Sequence, residues 1–252
     1  MNKNEKIEKK LTVSIFKISA VMAAAALLGV IALIVISARY AYALQNFGFA
    51  QGDIGKAMFE FADIRSSLRA AIGYDDEEAI ATVVEQHDTK KDLFHLYFAE
   101  VENTIVSSEG RETYDEIKSE LTSYWELDSK IMELGATTDR TLCVQAQELA
   151  LTDLTGAYNS IYDKLENLLD VKVNEGNSLA RTLLIVEWFL VAAIVAIIIT
   201  ALTASTKTGR KIARKISVPL EQLGTSLKTF AAGDLASPFP AIETVDEVEL
   251  MG

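Results

Sequence analysis

The apolar run LLIVEWFLVAAIVAIIITALTAS at positions 183–205 constrains this chain more than any other stretch. As a helix it is long enough to cross the ~30 Å hydrocarbon core of a bilayer. Its one charge, Glu187, sits at the outer edge beside Trp188. A carboxylate there avoids the cost of about 3 kcal/mol it would meet at the bilayer centre, and an indole suits the interface. A second candidate, Ile18 to Ala38, has no charged residue. The small-x-small sequence Ala41-Tyr42-Ala43 raises the alternative of a cleaved leader, but leader cores run to about 7–15 apolar residues and this one is longer. Two membrane helices, 18–38 and 183–206, are therefore expected. Lys3, Lys6, Lys9, Lys10 and Lys17 precede the first, and Lys207, Arg210, Lys211, Arg214 and Lys215 follow the second. Positive flanks stay inside, so both termini, residues 1–17 and 207–252, are expected in the cytoplasm of a plasma-membrane protein.

Residues 39–182 then form one external domain. Between Arg39 and Arg181 stand 13 basic and 27 acidic side chains, a charge of −14 that exceeds the −12 of the whole chain. Nucleic acid, which attracts a basic footprint, is excluded as a partner. The single cysteine, Cys143, leaves no intrachain disulfide, so packing alone must hold the domain. Cys143 reads as a small hydrophobe, with a pairing across a dimer axis as the alternative. All three prolines lie after residue 218, so nothing in the domain breaks a helix by proline.

Apolar residues recur there at helical spacing. Ile54, Ala57, Phe61, Ile64, Leu68 and Ala71 step by threes and fours, the seam of a bundle helix. This helix is expected to continue from the first span and to stop at Gly73, with Asp75 or Asp76 capping the next. The second stripe is Ile80, Val83, His87, Phe94, Tyr97, Val101 and Ile105, closed by a turn at Ser108-Glu109-Gly110. The third is Tyr114, Ile117, Leu121, Tyr124, Ile131 and Leu134, closed at Gly135, with Thr138 or Asp139 as the next cap. The fourth is Leu142, Leu149, Leu154, Ile161, Leu165 and Leu168, running without a stop into the second span. Short connections make neighbours antiparallel. The expected fold is all-α, an antiparallel four-helix bundle anchored by two membrane helices.

Two arginines, Arg65 and Arg69, lie four apart on one face of the first bundle helix. Guanidinium forks in that arrangement can clamp a carboxylate ligand, with Thr152, Thr155 and Tyr158 of the fourth helix facing them. The plain alternative is a salt bridge to Asp63 or Asp75, or a solvated face. His87 on an apolar stripe reads as a packed, hydrogen-bonded histidine. Two histidines eight apart, with no cysteine near, give no metal site. No phosphate loop, nucleophile motif or zinc spacing is present, so neither an enzyme activity nor a cofactor is expected.

The layout resembles a bacterial methyl-accepting chemotaxis receptor. In the external part the likeness is architectural, with FADIRSSLRAAI (61–72) similar to the first sensor helix. After the second span the chain resembles a HAMP domain: Pro219 near a helix start, then heptad apolars Leu220, Leu223, Leu227 and Phe230, a Gly233-Asp234-Leu235 stop, and Asp246-Glu247 opening a second helix. Glu249 stands where that family often has glycine. Proline suits a first helical turn, and Gly233 suits the left-handed stop. A lone helix this short is marginal, and HAMP helices pack as a parallel bundle between two copies, which implies a homodimer.

The resemblance also implies the partners: a small-molecule ligand or a ligand-loaded binding protein outside, and a kinase-coupling machinery inside. Family members continue into a long cytoplasmic coiled coil, so residues 207–252 are expected to be an incomplete HAMP domain within the N-terminal piece of a longer receptor. Two other readings share the sequence: the sensor portion of a histidine kinase or cyclase, and a structural membrane bundle that binds a partner.

Overall fold

A computed structural model describes residues 7–233, and all regular structure among them is helical. Six α-helices occur in order: α1 (Ile7–Ala43), α2 (Phe49–Gly73), α3 (Glu77–Glu102), α4 (Ser108–Gly135), α5 (Arg140–Leu149) and α6 (Thr155–Ala231). Two π-helical turns, Leu44–Gly48 and Ala150–Leu154, join α1 to α2 and α5 to α6. The chain divides into two compact units, Ser37–Leu184 on one side and Met1–Ile36 with Ile185–Gly252 on the other.

In the Ser37–Leu184 unit the alternating three–four spacing of α2 delivers what it promises. Ala50, Ile54, Ala57, Phe61, Ile64, Leu68 and Ala71 are all fully buried. Ile54, Ala57, Phe61, Ile64 and Leu68 share one core with Phe94, Phe98 and Val101 of α3, Tyr114, Ile117, Tyr124 and Ile131 of α4, Cys143 and Ala146 of α5, and Ile161, Leu165 and Leu168 of α6. Phe61 is its centre: its ring stacks on Tyr158 (4.9 Å, 5° between planes) and lies 5.3 Å from Phe94 and 4.9 Å from Tyr124.

The helix starts obey capping chemistry. The Asp76 carboxylate accepts from the Ala79 N–H, and Asp139 accepts from Thr141. Three expectations need correction. Ser108-Glu109-Gly110 is not a turn but the first turn of α4, because Ser107 Oγ accepts from the Gly110 N–H and moves the helix start three residues earlier. Gly73 does end α2, yet without a left-handed glycine; Tyr74 leaves the helix in extended conformation. On α5 the inward residues are Cys143 and Ala146, both buried, while Leu142 and Leu149 are half-buried.

Gly135 ends α4 against two neighbours. A Cβ there would lie 2.6 Å from Ile72 Cγ1 and 2.8 Å from Ala146 Cβ. Gly135→Ala should destabilise the unit by about 1–3 kcal/mol through overpacking, read as a lowered urea midpoint. Gly73→Ala, which meets open space, serves as the control.

One cation is buried in this unit. Lys172 of α6 is fully enclosed; its Nζ donates to the Thr104 carbonyl at 2.6 Å and lies 3.6 Å from Glu175. Burial pushes the ammonium pKa down, and Glu175 opposes the shift. Phe47, in the first π-turn, packs over this lysine and against Gly176, where a Cβ would sit 3.2 Å from Phe47 Cβ.

The other unit holds the two apolar segments. The helical stretches Thr12–Gly73 and Arg140–Ala231 each contain a window long and apolar enough to cross a membrane, with mean hydropathy 2.7 and 2.8 and almost no burial. Phe16, Ile34, Trp188 and Phe189 are among the large side chains left outward there. Within the unit Ile18, Met22 and Gly29 of α1 share a cleft with Ile194, Ile198 and Leu202 of α6.

Candidate ligand site

The π-turn between α5 and α6 has a sequence cause. The inward positions Cys143, Ala146, Ala150, Leu154, Tyr158, Ile161, Leu165 and Leu168 step by 3, 4, 4, 4, 3, 4 and 3. A strict seam alternates three and four, averaging 3.5. The run of three fours carries one residue too many, and a wide i→i+5 turn absorbs it. Leu154 thereby stays buried at 2% exposure, while Thr152 and Asp153 are pushed to the surface.

Opposite this wide turn, α2 presents Arg65 and Arg69. Together the two elements enclose a cleft of about 250 Å³, walled by Arg65, Leu68 and Arg69 on one side and by Gln147, Leu151 and Thr155 on the other. Arg65 Nη2 donates to Thr155 Oγ1 at 3.5 Å, and Thr155 Oγ1 donates to the Ala150 carbonyl at 2.9 Å. That carbonyl belongs to the π-turn, so the arginine is linked through one hydroxyl to the irregular backbone. The Arg65 guanidinium also lies 4.2 Å from the centre of the Tyr158 ring, a cation–π contact. Burial pushes the Tyr158 phenol pKa up, and Arg65 pulls against it.

Neither arginine has a carboxylate partner among the described residues. Asp63, one of the two carboxylates of the salt-bridge alternative, pairs instead with Lys90 at 3.1 Å, because α3 passes that face of α2. The site thus gathers two cations, a hydroxyl and an apolar wall around an open cleft, which suits a small anionic ligand with an apolar part. Of the residues proposed from sequence, Arg65, Arg69 and Thr155 line the cleft and Tyr158 lies beneath Arg65. Thr152 is not in the wall; it is exposed, with its hydroxyl donating to the Glu148 carbonyl.

Sequence reading missed Gln147 and Leu151, which bear no chemical signature on their own. It also missed Asp128, which stands at an inward position of α4 at 1% exposure. There His87 Nε2 donates to Asp128 Oδ2 at 3.0 Å, Lys91 lies 3.8 Å from the same oxygen, and Ser67 Oγ is 3.0 Å from His87 Nδ1. This cluster ties α2, α3 and α4 together and makes His87 a packed, hydrogen-bonded residue. Among the described residues no three His, Cys, Asp or Glu side chains converge as a metal set would.

Of the positions expected to transmit the signal, Pro219, Leu220, Leu223 and Leu227 fall on α6. Pro219 was expected in the first turn of a new helix; it lies instead deep inside α6. A helix already nucleated upstream propagates cheaply, and here the proline forfeits the one bond to the Lys215 carbonyl. Leu220 and Leu227 are exposed at 45% and 52%, and Leu223 is half-buried. Gly233 has φ +97°, the left-handed stop anticipated from sequence. Asp246 and Glu247 lie outside the described residues.

Compared with known proteins, residues 4–182 match a family model described as a four helix bundle sensory module for signal transduction. No curated protein and no solved structure matches the chain.

Proposed function

The chain belongs to the four-helix-bundle sensory modules of methyl-accepting chemotaxis proteins, and from that premise we propose that it is a homodimeric plasma-membrane receptor for an external carboxylate ligand. The family is a signalling sensor module rather than a catalytic one. On this reading Ser37–Leu184 is an external antiparallel bundle, the two apolar stretches cross the membrane, both termini are cytoplasmic, and residues 207–252 are a HAMP segment feeding an output module. The exposed Leu220 and Leu227 support the dimer, since a heptad face left open in one copy is what a second copy covers.

The observation that carries the proposal is the pair of uncompensated arginines facing the π-turn. A carboxylate entering the cleft competes with Thr155 for the Arg65 guanidinium. Thr155 is then free of the arginine, and the Ala150 carbonyl loses the tie to α2. A π-turn holds one residue more per segment than an α-turn, so its rearrangement displaces the downstream helix by up to about 1.5 Å along the axis and about 100° around it. That helix is α6, whose helical hydrogen bonding runs from Thr155 to Ala231.

A panel of amino acids and small dicarboxylates, screened by thermal shift on the purified chain, tests the site. A binder should raise the midpoint. Arg65→Ala and Arg69→Ala should each weaken its affinity by roughly 10–100-fold, the worth of a charged hydrogen bond, while keeping the helical circular-dichroism spectrum. A carboxylate binder with unchanged affinity in both variants removes this cleft from the reading.

A further inference from the structure

The basic residues after the second apolar run do more than bias orientation. Lys207, Arg210, Lys211, Arg214 and Lys215 are all exposed, and none pairs with a carboxylate among the described residues. At 100° per residue they fall within an arc of roughly 140° on α6. Ser205, Thr208, Ile212, Ile216, Pro219 and Leu223 form a separate, less exposed stripe. Thr208 of that stripe lines a cleft with Ser14 and Lys17 of α1, so α1 lies on the stripe side; Lys207, Arg210 and Arg214 point well away from it, and Lys211 and Lys215 flank it.

We propose that this arc is a docking surface for anionic phospholipid headgroups, and that the anionic fraction of the membrane sets the resting position of α6. The proposal rests on the reading of residues 183–206 as a membrane span. Distances and charge then select the occupant. From Lys207 to Lys215 the helix rises about 12 Å. The headgroup layer is about 5–8 Å deep, and at physiological salt a charge is felt over about 8 Å more. All five cations therefore act on the surface from which the helix emerges. Guanidinium forks and ammonium groups match phosphate oxygens, and clusters of such residues next to a span attract anionic leaflets. A nonspecific positive flank would need no common face; here the charges share one, separate from the stripe that faces α1. Lipid composition would thus be a second input, acting on the same helix as the external ligand.

The test uses the full chain in proteoliposomes of phosphatidylcholine with phosphatidylglycerol. Spin-labelled versions of each lipid report how strongly each associates with the protein. Wild type should prefer the anionic lipid by roughly five-fold, and 0.5 M salt should erase most of that preference. K207Q/R210Q/K211Q/R214Q/K215Q should bring it to about one. G209R/R210G/A213R/R214A keeps every charge but spreads them round the helix; position 209 has open space for a side chain. That variant should lose more than half of the preference. No preference in wild type, or full preference in the redistributed variant, overturns the proposal and leaves the arc to solvent or to an acidic protein segment. Protease protection of the external domain is read on the same vesicles. If the domain is not protected on one side, the membrane-spanning reading fails instead, and this surface with it.

Discussion

Deletion of Thr152 is expected to leave a well-folded sensor bundle in which ligand still binds but α6 no longer responds. The inward steps from Cys143 to Leu168 are 3, 4, 4, 4, 3, 4 and 3. Removing one residue between Ala150 and Leu154 turns them into 3, 4, 3, 4, 3, 4 and 3, the strict seam of a straight bundle helix. Thr152 can go without loss to the core, since it is exposed and its one hydrogen bond is local. With a continuous α-helix the Thr155 hydroxyl would back-bond one turn earlier in the ordinary way, and no wide turn would remain to be released by Arg65. Thermal stability should be unchanged or higher. Hydrogen exchange across residues 147–160, and the ligand-dependent reactivity of a cysteine placed at Ser217 on a Cys143→Ser background, are the measurements. Wild type should show a ligand-dependent change in both, and the deletion should show neither. A deletion variant that responds like wild type would make the π-turn a passive irregularity.

Phe61→Ala should cost about 3–5 kcal/mol, the range for removing a fully enclosed aromatic side chain. Phe61 has no exposed surface, and its ring touches aromatic partners on α3, α4 and α6 together. No single neighbour can close a hole bordered by three helices. Trp125 sits edge-on to Phe61 at 6.1 Å, so its fluorescence tracks the denaturation directly. Phe59, two residues away on the same helix, is 61% exposed; Phe59→Ala should change stability by no more than about 0.5 kcal/mol. Equal losses at the two positions would place the core elsewhere than the periodicity of α2 puts it.

That periodicity shows why much of this fold is legible in the chain's own residues. Ile54 to Ala71 alternate threes and fours without error, and one face of a helix then has to be apolar. Asp76 and Asp139 stand where capping chemistry wants them. The failures have equally local causes. Ser107 and Ser108 are both serines before a helix, and only the geometry of the Gly110 N–H chooses between them. The extra step at Ala150 is present in the spacing, but it becomes visible only when Ala150 and Tyr158 are known to face inward, because alanine and tyrosine do not declare a side.

By itself the sequence determined the helical class, the two apolar stretches, the acidic domain between them and the pair of arginines on one helix face. Each stems from properties a residue carries anywhere: hydropathy, charge and a period of 3.6. The tertiary structure decided what those arginines meet. Asp63 was as near in sequence as any partner, yet α3 brings Lys90 to it and leaves Arg65 to Thr155. It also decided that Asp128 joins His87 in the core, and that Thr152 faces away from the cleft while Thr155 faces in. These outcomes depend on how far one helix is rotated against another. A single extra residue in a wide turn resets that rotation for everything downstream, and no residue's own chemistry records it.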